Sequence, residues 1–328
     1  MASMITMFLQ SAYSMIDGLF VSNLIGDTAL SAVNVAWPVI AVVTAIGTGV
    51  GCGGAVMMST KQGEGKNEES NIVRANVILA LLASSIVVTI LFLVLLTPLL
   101  KLMGAEGELL RLSQIYGRVM LTGGVLQILS CGLTPLLRND NRAVSAMMIM
   151  VGGLFANLGL DFVFMYVFHM GIGGAAGASL CAQLFTTLCC LIILGTKKTD
   201  PIRFSQFMIR KEYWKKIFKT AVSPFGISLT PSLLILYHNV ACLKFSGDLA
   251  VNAYALISST VGSYRVLLIG VAEGIQPLAS YAYGAHDFHA IRKIRNKAII
   301  TAMSVSFFLF IFTIATARFY PAIYGYEG

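Results

Sequence analysis

Long apolar runs separated by short polar clusters dominate the chain, and nine of them exceed the length of a buried core segment. They lie near 1–22, 33–58, 77–100, 112–137, 143–168, 174–195, 220–242, 252–280 and 298–317. A helix needs about 20 apolar residues to cross the hydrocarbon core of a bilayer. Hydrocarbon offers no partners to backbone N–H and C=O groups, so spanning segments are helices or closed barrels. Barrel strands alternate in polarity, and these runs are continuous. The pattern therefore predicts an all-α, polytopic membrane protein with nine spans. A soluble bundle does not account for nine such runs in one chain.

Composition agrees. The 328 residues are 57% hydrophobic and 12% charged, against about 25% charged in soluble domains. The net charge of +8 would suit a nucleic-acid ligand, but its distribution does not. Of 23 basic residues, 17 fall in the loops after spans two, four, six and eight. Only 5 fall in the other loops, the tail and the outer end of span four, and Arg265 lies inside span eight. Basic residues collect on the cytoplasmic side. This predicts a multi-pass protein of the cell membrane with a cytoplasmic N-terminus, a lipid bilayer as its environment and no nucleic-acid partner. Gln10, Tyr13 and Asp17 interrupt the first run, so it is expected to be a span rather than a cleavable leader. The six cysteines all fall in apolar segments, without metal spacing or a disulfide framework. No structural metal and no enzyme constellation of His, Asp and Cys is predicted.

The chain also repeats. At an offset of 221 residues, Gly26-Asp27 meets Gly247-Asp248, and Gly49, Gly53, Ser59 and Gly63 meet Gly270, Gly274, Ser280 and Gly284, without a gap. Each copy has a short loop, a Gly-bearing helix and a charged loop. Six spans separate the copies, so the repeat is parallel, a common transporter construction. The expected organisation is a first lobe over 1–196, a basic cytoplasmic linker over 197–219 and a second lobe over 220–328. The first has six spans and the second three, so an incomplete two-by-six protein is expected.

Acids inside spans are costly and mark ion pathways or polar clamps. Three occur: Asp17, Asp161 and Glu273. Gln10, Tyr13, Ser14 and Asp17 are spaced i, i+3, i+4 and i+7, on one helical face of span one. Asn157 and Asp161 share a face of span five. Two carboxylates with an amide and a phenol can hold a cation or a proton, since burial and a neighbouring carboxylate both favour protonation. Glu273 lies in the cytoplasmic half of span eight, with Arg265 two turns away as a prospective partner. His238 sits where Asp17 maps under the repeat and reads equally as a hydrogen-bonded buried histidine. Pro38, Pro135, Pro224, Pro231 and Pro277 are expected kinks. Gly47, Gly49, Gly51, Gly53 and Gly54 in span two are read as close helix packing with hinge potential.

These residues resemble a known family. Residues 270–287, GVAEGIQPLASYAYGAHD, resemble the span-eight signature of multidrug and toxin extrusion (MATE) transporters, and 47–67 its span-two counterpart. The opening QSAYSMIDGLFVSNLIGDTALSAV is similar to that family's first helix. The resemblance implies a two-lobed MATE-like bundle of twelve helices, here six plus three, and antiport of small organic, often cationic drugs by alternating access. In the DinF-like branch an Asp on span one and an Asn-x-x-x-Asp on span five form an ion-coupling site, matched by Asp17, Asn157 and Asp161. Gln10 and Tyr13 match cavity residues, and Tyr116 does so more weakly. His238 and Glu273 complete the candidate cavity set. The coupling ion is H⁺ or Na⁺, with no other cofactor, and the protein is expected to be a monomer. Another branch carries a span-seven Glu, where Ser232 stands here. A lipid-linked oligosaccharide flippase of the wider superfamily and an inactive transporter fragment are the competing readings.

Overall fold

The computed structural model describes residues 6, 7, 9, 25–196, 206, 207 and 209–316, and among them every regular element is helical. We number the helices α1 (Asp27–Gly63), α2 (Asn67–Leu102), α3 (Gly107–Thr122), α4 (Gly124–Asn139), α5 (Ala143–Asp161), α6 (Gly171–Gly195), α7 (Lys211–Gly284) and α8 (Phe288–Thr316). A π-helical segment, Phe162–Val167, continues α5. Five helices or helix continuations are long and apolar enough to cross a membrane, and α3 with α4 makes a sixth as a bent pair. Spans two to six and span nine fall on these, and spans seven and eight fall on α7. Span one lies almost wholly outside the described residues.

Helix α1 is the hub, packing against α2, α3, α4 and α7. Its glycines let backbones meet. Gly47 and Gly51, one turn apart, face the backbones of Ile128 and Gly132 on α4. Gly49 and Gly53 face Phe225 and Ala221 on α7. Around this seam, Ile40, Val43, Leu81, Ile128, Leu133 and Leu137 form a continuous buried core that takes in Tyr213, Ile217 and Ala221 of α7. Outside it the surface is apolar. Ile86, Ile90 and Val94 line one face of α2, and Phe307, Phe308, Phe310 and Phe312 stand exposed on α8. Water would not tolerate such a surface, whereas lipid matches it.

Span four is not one rod. Helices α3 and α4 meet at Gly123 with a 58° bend. The bend falls at the glycine pair Gly123-Gly124, where backbone is least constrained. A Cβ at Gly123 would collide with Leu180 and one at Gly124 with Thr89. The Gln127 side-chain amide donates to the Met120 carbonyl at 2.5 Å, meeting an acceptor the bend strands.

Helix α7 departs from expectation in two ways. It starts at Lys211, so part of the predicted linker is helical, with Tyr213, Ile217 and Ala221 buried along one face. Its backbone is also helical through Gly247-Asp248, where a loop is expected. The chain nevertheless reverses. Ala221 touches Gly53 and Tyr281 touches Gly63, positions ten residues apart on α1. Sixty residues of straight helix would separate Ala221 from Tyr281 by about 90 Å. The helix is therefore two limbs folded back on each other, with the turn between Phe225 and Tyr264, whose hydroxyl meets Thr313 of α8.

The 221-residue repeat is visible in the backbone. Helix α1 ends at Gly63 and α2 starts at Asn67, while α7 ends at Gly284 and α8 starts at Phe288. The intervening turns bond alike: Glu64 N–H to Thr60 O, Gly65 to Gln62 and Lys66 to Lys61, matched by Ala285 to Tyr281, His286 to Tyr283 and Asp287 to Ala282. Gly65 and His286 both take positive φ, 75° and 54°. This is the left-handed helix terminator that favours glycine, and histidine occupies it in the second copy. The two turns touch reciprocally. Gly63 abuts the Tyr281 carbonyl, and Gly284 abuts the Thr60 carbonyl, the equivalent atom.

Candidate functional site

Two polar centres stand out among the described residues of the apolar bundle. The first is on α5. Asn157 and Asp161 are both buried, and the Asn157 amide donates to Asp161 Oδ2 at 3.1 Å. The expected shared face of the i, i+4 pair is present. Asp161 is the last α-helical residue before the backbone widens into the π segment. There Phe168 N–H reaches back five residues to Val163 O. Such wide turns leave carbonyls mis-registered and recur at functional sites. Helices α4 and α6 flank α5. Gln10, Tyr13 and Asp17 lie outside the described residues.

Tyr116 is buried on α3 within the apolar core. His238 is half-buried on α7, its Nδ1 at 2.8 Å from the Leu234 carbonyl one turn earlier, with Tyr237 edge-on to its ring.

The second centre is at the basic end of the bundle, where α1, α2, α4 and α7 converge. The acid at position 273 is there, and its partner is not Arg265. Arg138, at the end of α4, places Nη1 at 2.5 Å from Glu273 Oε2. Next to it, Asn139 donates to Pro135 O at 3.0 Å and to Gln276 Oε1 at 3.4 Å. The third residue of the run, Asp140, faces the other way. It accepts from Gln62 at 3.2 Å and from Arg74 at 3.5 Å, and Arg142 stands 4.0 Å away. Arg74 and Asp140 side chains are each 1% exposed, and Arg74 also donates to Asn71 Oδ1 at 2.8 Å. Ser59 Oγ donates to Pro277 O at 3.1 Å, closing the same seam.

By position along the chain, Arg74, Arg138 and Arg142 belong to the 17 basic residues expected in loops. Arg74 lies inside α2 and Arg138 inside α4, both buried. The available signal was the run Arg-Asn-Asp-Asn-Arg at 138–142, too polar for a helix end that only needs solvation. In the turn from α1 to α2, Lys61 and Lys66 sit 2.9 and 3.0 Å from Glu64 and hold its carboxyl below the usual carboxylate range, Lys61 more than Lys66. No cluster of three or more metal-ligating side chains occurs among the described residues.

The MatE family model matches residues 2–163 and 227–328. Multidrug export protein MepA of Staphylococcus aureus strain N315 is 26% identical over 309 residues, covering 92% of this chain and 66% of that protein. MepA of Staphylococcus saprophyticus is 24% identical, covering 92% and 67%. The chain thus spans about two thirds of the length of the curated relatives it matches. Among solved structures, an outward-facing multidrug resistance MATE family transporter of the MOP superfamily superposes with a TM-score of 0.92 at 25% identity, over 98% of this chain and 72% of that one. A MATE structure in the bent conformation gives 0.91 at 25% identity, over 99% and 73%.

Proposed function

We propose that this chain, which belongs to the MatE family, works in export of small organic, often cationic compounds in exchange for H⁺ or Na⁺. The family's members are transporters rather than enzymes. The observation that carries the coupling half of the reading is the buried Asn157–Asp161 pair at the mouth of a widened turn. A carboxylate in that position is costly to leave charged without a cation or a proton. With Asp17 of span one, it would bind the ion in one state and release it in another. The names of the MepA relatives support drug export as the partner half of the exchange.

In this reading the basic end faces the cytoplasm, two lobes over 1–196 and 220–328 rock about their shared seam, and the protein acts as a monomer of the DinF-like branch. Tyr116, Gln10, Tyr13, His238 and Glu273 supply the cavity set.

The test is efflux of a fluorescent cationic dye from vesicles under imposed Na⁺ or pH gradients. Asp161→Asn keeps the shape and the bond to Asn157 but removes the titrating charge. It should cut gradient-driven efflux at least about tenfold, as should Asp17→Asn, with Asn157→Ala weaker. Full gradient-driven efflux in both Asp variants would remove the coupling site.

A further inference from the structure

We propose that Arg138–Glu273, seconded by Asn139–Gln276, is a separable latch that holds the basic ends of the two halves shut and opens once in each transport cycle. The proposal rests on the rocking exporter read above.

The contrast between two ion pairs carries it. Arg74–Asp140 joins α2 to the α4 terminus within one half, and both side chains are 1% exposed. Breaking such a pair strands a charge in apolar surroundings, so it is a permanent tie. Arg138–Glu273 joins α4 to the second limb of α7 across the two halves, and its side chains are 8% and 21% exposed. A small cavity of about 10 Å³, room for about one water, lies beside it, lined by Thr6, Met7, Ala146, Met150 and the two charged residues themselves. Ions parted there regain hydration, so the open state is not penalised as a dry, parted pair would be.

The local sequence divides the labour. Asp140 anchors the α4 terminus to Gln62 and Arg74, while the two residues before it reach across. On α7 the receiving groups are Glu273, Gln276 and the Pro277 carbonyl, spaced i, i+3 and i+4 on one face. Ser59 meets that face from α1 and lies in the closed seam, 1% exposed. It is therefore the natural reporter.

In the full chain with its native cysteines replaced, Ser59→Cys is near-isosteric. Its labelling by a membrane-impermeant maleimide in inside-out vesicles reads opening of the seam without any transport. Glu273→Gln and Arg138→Gln should each raise the labelling rate about tenfold, the change produced by about 1.4 kcal/mol of lost attraction. The exchanged pair, Arg138→Glu with Glu273→Arg, should return it toward the starting rate, which a merely structural role of either residue would not do. Unchanged labelling in the single variants, or fast labelling in the exchanged pair, overturns the latch. A second route leaves the ion pair intact. Oxidising Asn139→Cys with Gln276→Cys should stop dye efflux, and reductant should restore it; efflux through the cross-linked protein overturns the proposal. If labelling follows the ion pair while no form of the chain exports dye, the latch stands and the exporter reading falls.

Discussion

Adding a methyl group at either of two glycines tests the reciprocal contact directly. A Cβ on Gly63 would stand 2.1 Å from the Tyr281 carbonyl oxygen, and one on Gly284 2.0 Å from the Thr60 carbonyl oxygen. Carbon–oxygen contacts settle at roughly 3.3–3.6 Å. The helices must part by over about 1 Å, since the opposed atoms are backbone and no rotamer change relieves them. Overpacking of this kind costs about 1–3 kcal/mol, which predicts such a loss for Gly63→Ala and for Gly284→Ala separately. The double variant is more telling. Both methyl groups press on the same gap, so separation forced by the first accommodates much of the second. The double should fall short of the summed losses by about 1 kcal/mol or more, well outside the scatter for independent sites. The assay is thermal unfolding in detergent, read as the surviving monodisperse fraction at one heating rate. Gly226→Ala is the control, since a Cβ there meets nothing within 4 Å. It gains helix propensity and should be neutral or slightly stabilising. If Gly63→Ala and Gly284→Ala behave like that control, or if their losses simply add, the contact is not as described.

Three further outcomes follow from the same geometry. Arg74→Met or Asp140→Leu alone should destabilise by about 3 kcal/mol, and the double by clearly less than the sum, because only the singles bury a charge without its main counter-ion; a melting-based double-mutant cycle measures this. Gln127→Leu should cost about 1–3 kcal/mol by leaving the Met120 carbonyl unmet at the α3–α4 bend, and a variant that melts like the parent would show that the amide does not support the bend. The Glu64 carboxyl is held low by Lys61 and Lys66, so its contribution is present above the unfolded value of about 4.3 and lost as pH falls through the lower folded value. Glu64→Gln should therefore melt slightly below the parent by a constant margin from about pH 5 to 8, and the margin should close as pH falls below about 4.

What the sequence discloses depends on the range of the interaction. Apolar runs report burial in lipid one helix at a time, so spans two to six and span nine were legible. The face shared by Asn157 and Asp161 was legible because helical periodicity alone places residues four apart together. The offset that pairs Gly63 with Gly284 was legible as a repeat, but not that the paired residues touch. Arg138 and Glu273 are 135 positions apart, and the polar run at 138–142 flags an unusual helix end without saying which distant group it meets. The bend at Gly123 was hidden because glycine pairs in membrane helices serve packing as often as bending. The reversal of α7 followed from apolar runs, yet its helical backbone at Gly247-Asp248 did not, since a Gly-Asp pair ordinarily marks a turn.

The wide turn after Asp161 also sets a phase. Each π turn takes up an extra residue, so everything beyond Phe162–Val167 is rotated by about 100° relative to an uninterrupted α-helix. Deleting one residue there would restore ordinary winding and swing Phe168 and its followers to a different azimuth, while leaving Asn157 and Asp161 in place. A single codon thus separates two orientations of the outgoing chain, and with them the way α6 is delivered to its neighbours.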